Sequence, residues 1–261
     1  MLALAQRNTQ KLVREKSKSE NIRLGRLFTK KDTAKRMADM LSLNKDKSVY
    51  TVLDPGAGTG ILSAAVIEAI CKGCPEAKQI YITCYETDAD FFAMLTDNLE
   101  RIRKKCRHDY GVKLFVTAYN ENYLTESKNH YTVSFFDEVI EDKFDIVIMN
   151  PPTELCEKNS EEALAVGGVT QLKLSKAYLF LSLAKRHVED GGQLVVALPT
   201  QAATAAAIAP LRREMSKSLS LDKIHLFIGK QKNAKRAVPL KKTMLLCYRK
   251  GDANANVEIT T

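Results

Sequence analysis

The chain has no apolar run long enough to cross a bilayer. Its least polar stretch, AATAAAIAP around residue 205, falls well short of the roughly 20 residues that a spanning helix needs. It also lacks an apolar segment behind its first residues: MLALAQRNTQKLVREK turns charged too soon for a signal peptide, so a cytoplasmic location is the expectation. Internal repeats, low-complexity blocks and Pro/Gly/Ser-rich linkers are missing too. The 261 residues are therefore expected to form one large α/β domain, or a core with an appendage. A disulfide framework is not expected either, because the six cysteines (71, 74, 84, 106, 156 and 247) are scattered. CKGC at 71–74 has the spacing of a zinc knuckle, but no second ligand pair lies near it, and no metal is expected.

Acidic residues are scarce at the two ends. Residues 1–36 hold eleven Lys/Arg against three acids, and 223–250 hold nine against none, while the segment between is slightly acidic. The net charge of +9 is thus concentrated at the ends, which fits either solvated faces or a phosphate-contacting surface.

What is present is alternation. Past a basic N-terminal arm, Ala34, Met37, Ala38 and Leu41 fall at helical spacing. Apolar runs at 49–54, 79–86, 113–119, 144–149, 193–199, 223–229 and 243–249 read as strands. Helices are expected at 61–73, 88–106, 171–188 (stopped by EDGG) and 202–219. Continuous apolar strands alternating with helices imply a doubly wound, mostly parallel sheet of seven strands covered on both faces. Only a basic loop separates the last two strands, so they are expected to form an antiparallel pair at one edge.

Ligands bind such sheets beyond the carboxyl ends of the strands, near the switch in strand order. The first strand runs into DPGAGTG (54–60) and a helix. There Gly56, Gly58 and Gly60 let the backbone approach a ligand closely, and the helix offers its positive end. The second strand ends in Glu86, an acid able to accept both hydroxyls of a ribose. The glycine spacing is G-x-G-x-G, not the dinucleotide G-x-G-x-x-G, which suits an adenosyl ligand without phosphates.

The fourth strand ends in Asn150-Pro151-Pro152-Thr153, where two prolines forbid further ladder hydrogen bonds. It lies beside the first strand and faces the same crevice. An adenine amine is a poor nucleophile because its lone pair is delocalised into the ring. The Asn150 amide oxygen and the Pro151 carbonyl can each accept one N–H, freeing that pair to attack a sulfonium methyl, and the rigid prolines preorganise both acceptors. A proline-terminated strand with Asn as a turn cap is the structural alternative.

These residues resemble the S-adenosylmethionine-dependent DNA adenine-N6 methyltransferases of restriction–modification systems, in the group whose cofactor motifs precede the catalytic tetrapeptide. The resemblance covers nearly the whole chain. GRLFTKKDTAKRMADML (25–41) is similar to the family's N-terminal cofactor segment, which implies that Phe28 and Thr29 approach the methionine part of the cofactor. VLDPGAGTG is similar to the cofactor loop (Asp54, Gly56, Gly58, Gly60), Glu86 to the ribose acid, and Asn122-Tyr123 in ENYL to residues flanking the cofactor adenine. NPPT resembles the Asn-Pro-Pro-aromatic catalytic motif. The resemblance implies a class I methyltransferase, Rossmann-like, with residues 1–42 as a helical arm contributing to the cofactor site, 43–251 as the catalytic domain and 252–261 as a tail.

Three positions depart from the family pattern. Asn122 stands where the family has Asp, and Lys30 replaces a common Pro. Thr153 stands where an aromatic stacks on the flipped base. Tyr119 and Tyr123 are nearby aromatics that can supply a ring instead. A target-recognition domain follows the catalytic domain in the family, yet only GDANANVEITT follows the last strand here. The partners expected are therefore DNA, with RNA as the alternative, and no membrane; specificity is expected from a partner subunit or from a missing C-terminal recognition domain of a longer protein, unless it is no longer needed. The loop 154–170 is expected over the substrate pocket. Arg212, Arg213, Lys230, Lys232, Lys235, Arg236, Lys241 and Lys242 are the candidate phosphate contacts. Methylation of ribosomal RNA, methylation of a protein glutamine amide, and a catalytically weakened cofactor- and DNA-binding subunit are the competing readings.

Overall fold

Each apolar run becomes a strand, and in the central strands alternate side chains enter opposite cores. The structure, a computed structural model, describes residues 1–15, 29–127, 132–133, 139–140, 142–166, 174–204, 209–227, 243–251 and 257–261. The chain opens with α1 (Leu2–Glu15) and α2 (Lys31–Asp39), then β1 (Val49–Asp54), α3 (Ile61–Gly73), β2 (Gln79–Tyr85), α4 (Ala89–Tyr110) and β3 (Lys113–Tyr119). Next come α5 (Tyr123–Glu126), the short strands β4 (Thr132–Val133) and β5 (Val139–Ile140), β6 (Phe144–Met149), β7 (Leu155–Cys156), α6 (Glu161–Ala165), β8 (Leu174–Ser175) and α7 (Lys176–Ala184). A 3-10 turn (Lys185–His187) leads to β9 (Val188–Pro199), α8 (Thr200–Thr204), α9 (Ala209–Met215), β10 (Leu219–Phe227), β11 (Thr243–Lys250) and β12 (Glu258–Thr260).

The main sheet has eight strands in the order β12-β10-β11-β9-β6-β1-β2-β3. β3, β2, β1, β6 and β9 are parallel, and β11 runs antiparallel to both β9 and β10, giving the expected antiparallel pair. The connection from β1 goes outward to β2, whereas the one from β3 returns across β1 to β6. The switch in strand order therefore falls between β1 and β6, with Asp54 and Asn150 at its mouth.

Both faces of the central strands are buried. Ile146, Ile148, Val195 and Ala197 join one core with α1, α2, α3 and α4, while Val147, Met149, Leu194, Val196 and Leu198 join the other with α7. Each fully buried aliphatic side chain contributes about 1.5–3 kcal/mol. The first helix belongs to this framework: Met1, Leu2 and Ala5 are core residues, and Thr9 is buried against the glycine-rich loop.

Several boundaries differ from expectation. The helix read over 171–188 is confined to Lys176–Ala184, because Leu174 and Ser175 pair with Cys156 and Leu155 at its front. At its back His187 turns inward against the rings of Tyr123 and Phe144, and Val188 pairs with Phe144. EDGG is a bulge within β9, not a stop before it. Gly191 has φ +78°, and a Cβ on Gly192 would lie 2.7 Å from the Glu189 carbonyl. α4 runs on to Tyr110, where Gly111 ends it at φ +69°. The helix expected over 202–219 is two short ones with residues 205–208 outside the described residues, and β10 starts early, at Leu219. Within the expected tail, β12 adds an eighth strand beside Lys223–His225, tied by His225 Nδ1 to Thr260 Oγ1 at 2.7 Å.

No helix among the described residues is long and apolar enough to cross a membrane, and none of their His, Cys, Asp and Glu side chains group as a metal site. The described cysteines are all free thiols; Cys71 lies 3.8 Å from Cys106 and Cys74 accepts the Tyr50 hydroxyl at 3.2 Å.

Candidate active site

The loop after β1 is tied down from three sides. Ala57 N–H donates to the Tyr85 carbonyl at 2.9 Å, and Gly58 N–H to Glu86 Oε2 at 2.8 Å. Thr59 meets Thr9 hydroxyl to hydroxyl at 2.6 Å, and its carbonyl accepts from Asn98 Nδ2 at 2.9 Å. Gly58 and Gly60 need their glycines, with φ +57° and +83°, and a Cβ on Gly60 would meet Leu95 at 2.8 Å. Gly60 thus serves the close packing of α3 on α4. Glu86 bridges the loop to the start of α4, since its Oε1 accepts from Asp88 N–H at 2.8 Å. Burial raises its pKa, an effect offset in part by the N–H groups of Asp88 and Gly58.

Asp54 lies beneath this loop, fully buried. Its Oδ2 accepts from Ser63 Oγ at 2.6 Å and Ser63 N at 3.2 Å, while Oδ1 has no hydrogen-bond partner among the described residues. Burial pushes its pKa up to about 7 against the lowering by Ser63.

A cleft of about 420 Å³ opens beyond the strand ends, within the range of small-molecule sites. Gly56, Gly58, Glu86, Asn122, Tyr123, Asn150 and Pro152 line it together. A small recess beside it joins Thr29 to Gly56, Gly58 and Asn150. Asn150 Nδ2 donates to Thr29 Oγ1 at 2.9 Å, which commits the amide nitrogen and leaves Oδ1 as an acceptor. Pro151 is buried and Thr153 exposed. Tyr123 is buried among Tyr85, Phe180 and His187, and Tyr119 stacks on Tyr85 at 5.0 Å, so both rings are already engaged. Phe28 falls outside the described residues.

The far wall of the cleft comes from the 154–170 segment expected over the substrate pocket, through Glu154 and Glu162. Past Thr153 the chain forms a flap in which β7 pairs with β8, and α6 is capped by Ser160. From it Glu162 reaches the cleft, where Oε1 accepts from Lys176 Nζ at 2.7 Å and from Asn122 Nδ2 at 3.1 Å. Asn122 Oδ1 in turn caps α5 through Leu124 N–H at 3.1 Å. Burial works against the Glu162 charge, but Lys176 and Asn122 outweigh it and hold the carboxyl below its usual range. The run Ser160-Glu161-Glu162 before apolar residues was a readable helix start, yet nothing local aims Glu162 at Asn122.

Residues 10–213 match the family of N-6 DNA methylases, most of the chain. The chain belongs to the N-6 DNA methylase family. Among its relatives, the type II methyltransferase M.PstI of Providencia stuartii is 26% identical over 241 residues, covering 90% of this chain and 45% of that protein. The type II methyltransferase M.BsuBI of Bacillus subtilis is 25% identical over 256 residues, covering 94% and 47%. The chain therefore spans about half the length of the curated relatives it matches. The methyltransferase subunit of a type I restriction–modification system from Streptococcus thermophilus superposes with a TM-score of 0.62 at 16% identity, over 89% of this chain and 46% of that one. At that identity the likeness shows the fold, that of a class I methyltransferase.

In this N-6 DNA methylase two candidate phosphate contacts are described. Arg212 and Arg213 are exposed on α9, and Arg212 Nη1 donates to the Ala203 carbonyl at 3.1 Å. Lys230, Lys232, Lys235, Arg236, Lys241 and Lys242 fall outside the described residues. The residues flanking that segment do not: Phe227 pairs with Thr243, and Thr243 with Pro199 at the carboxyl end of β9. This is the sheet edge on which Asn150 lies.

Proposed function

We propose that this chain transfers a methyl group from S-adenosylmethionine to the exocyclic N6 amine of adenine in DNA. The observation that carries the reading is the Asn150–Thr29 hydrogen bond at the cleft mouth, which turns an amide oxygen toward an acceptor's role beside the glycine-rich loop.

The residues present fit an adenosyl sulfonium. Glu86 offers a carboxylate to a pair of ribose hydroxyls. Asp54, buried beneath the loop, holds the start of the following helix through Ser63 and so fixes the loop's backbone at the cleft wall. Gly56 brings backbone to the cleft wall with only Phe180 behind it, 3.5 Å from where a Cβ would stand. When bound, the cofactor supplies an electrophilic methyl on a positively charged sulfur. Asn150 Oδ1 and the Pro151 carbonyl each hold one N–H of the adenine amine, drawing the nitrogen toward tetrahedral geometry and localising its lone pair on the methyl side. Pro151 and Pro152 keep the two acceptors from reorganising. The arm over residues 1–42 completes the cofactor site through Thr29 and Thr9, with residues 43–251 as the catalytic domain.

On this reading the basic segment at 230–242, whose flanking residues Phe227 and Thr243 lie at the end of the sheet that carries Asn150, supplies sequence-neutral phosphate contacts together with Arg213. Sequence choice rests outside the catalytic sheet, with a recognition domain or a specificity subunit. The test is a transfer assay with methyl-labelled cofactor on mixed DNA and RNA, followed by nucleoside analysis. N6-methyldeoxyadenosine is the expected product; label confined to RNA or protein would overturn the DNA assignment.

A further inference from the structure

We propose that Glu162, held against Asn122, is the carboxylate that receives the N6 amine of the cofactor's adenine. This rests on the cofactor reading above. An adenine amine is a pure donor and must find an acceptor in the cleft. Position 122 carries a neutral amide whose oxygen already accepts from Leu124 N–H at 3.1 Å, which leaves it one lone pair and no charge. Its remaining group, Nδ2, is itself a donor, which no amine can use. The fold turns that nitrogen away from conflict by giving it Glu162 Oε1 at 3.1 Å, which brings an anionic acceptor to the same part of the cleft wall.

Glu162 is equipped for the task. Lys176 Nζ, 2.7 Å from Oε1, keeps it ionised, and both side chains line the cleft. Among the described residues its other oxygen, Oε2, has a long thiol contact, from Cys156 at 3.4 Å, and so retains room for an N–H donor. The acid is delivered by the flap that follows the catalytic tetrapeptide, not by the end of β3. Adenine recognition is thereby coupled to the placement of that flap, which a purely local acid at position 122 would not do. A neutral acceptor gives way to a charged one, and hydrogen bonds to charged groups are the stronger kind.

The discriminating measurement is calorimetric binding of two ligands to the 261-residue chain. One is S-adenosylhomocysteine; the other is S-inosylhomocysteine, in which a carbonyl oxygen replaces the amine. The wild type should prefer the adenine form by about 10–150-fold, the range of one hydrogen bond to a charged group. Glu162→Gln, which still offers Asn122 an acceptor, should lower this preference at least several-fold. The double variant Asn122→Asp/Glu162→Gln should recover most of it by placing an acid at position 122. If Glu162 only pins the flap, Glu162→Gln weakens both ligands alike and the ratio stays put, which overturns the proposal. Equal affinity of the wild type for both ligands also overturns it while leaving the cofactor site standing. Failure of the wild type to bind either would remove the cofactor reading and this proposal together.

Discussion

Asn150 and Thr29 stand 121 positions apart in the chain and 2.9 Å apart in space, the amide Nδ2 of one donating to the hydroxyl of the other. With Nδ2 turned to the hydroxyl, Oδ1 is the amide atom left to accept from a substrate amine. An Asn side chain free to flip would present nitrogen as readily as oxygen, and nitrogen cannot accept from an amine.

Loss of that bond should therefore slow chemistry more than it weakens binding. Thr29→Val is expected to reduce the single-turnover methyl-transfer rate about 2–10-fold, the worth of one net hydrogen bond of roughly 0.5–1.5 kcal/mol. Thr29→Ser should keep the rate. Equal rates for Val and wild type would show that the amide needs no holding.

Asp54 predicts a pH dependence of stability. Its carboxyl is raised from 3.8 to about 7 by burial, so the folded state favours the neutral acid. The associated stability is complete below the unfolded value and is lost as pH rises through about 7, by up to about 4 kcal/mol. Thermal melts at pH 5 and pH 8 should show a larger drop for the wild type than for Asp54→Asn. Parallel profiles for the two proteins would show that Asp54 is charged throughout.

Much of this site was legible because its chemistry is local. Glycines at 56, 58 and 60, an acid closing β2 and an amide closing β6 sit at strand ends, and strand ends are where apolar periodicity stops. Boundaries set by distant partners were not legible. The apolar spacing of α7 continues through Val188, and only the burial of His187 against Tyr123 and Phe144 breaks it. β12 is three residues long, too short to carry a period. Glu162 escaped for the same reason: a carboxylate on a five-residue helix says nothing of the amide 40 positions earlier that it meets.

Binding of duplex DNA should fall steeply with salt if the basic segment contacts phosphates. Replacing Lys235 and Arg236 by Glu should weaken all duplex sequences about equally and flatten the logarithmic salt slope by ~2, about 0.9 for each phosphate left unneutralised. A slope unchanged by the substitutions would place the phosphates elsewhere.

Thr153 is exposed, and the two candidate rings, Tyr119 and Tyr123, are engaged with Tyr85. On the proposed mechanism an extruded base would meet a hydroxyl at position 153 in place of a ring. Thr153→Tyr should raise transfer to adenine in DNA, within the bound of one base–aromatic stack, ~1–3 kcal/mol or about 5–150-fold. A lowered rate with cofactor binding preserved would point to an acceptor other than a flipped adenine.

On the proposed mechanism Asn150 handles the acceptor amine and not the cofactor. This is tested most directly by Asn150→Ala, measured for S-adenosylhomocysteine affinity by calorimetry and for labelled methyl transfer to adenine in the same preparation. An affinity close to that of the wild type is expected, with methyl transfer reduced to background. Transfer at the wild-type rate, or a cofactor affinity that collapses in step with activity, would contradict it.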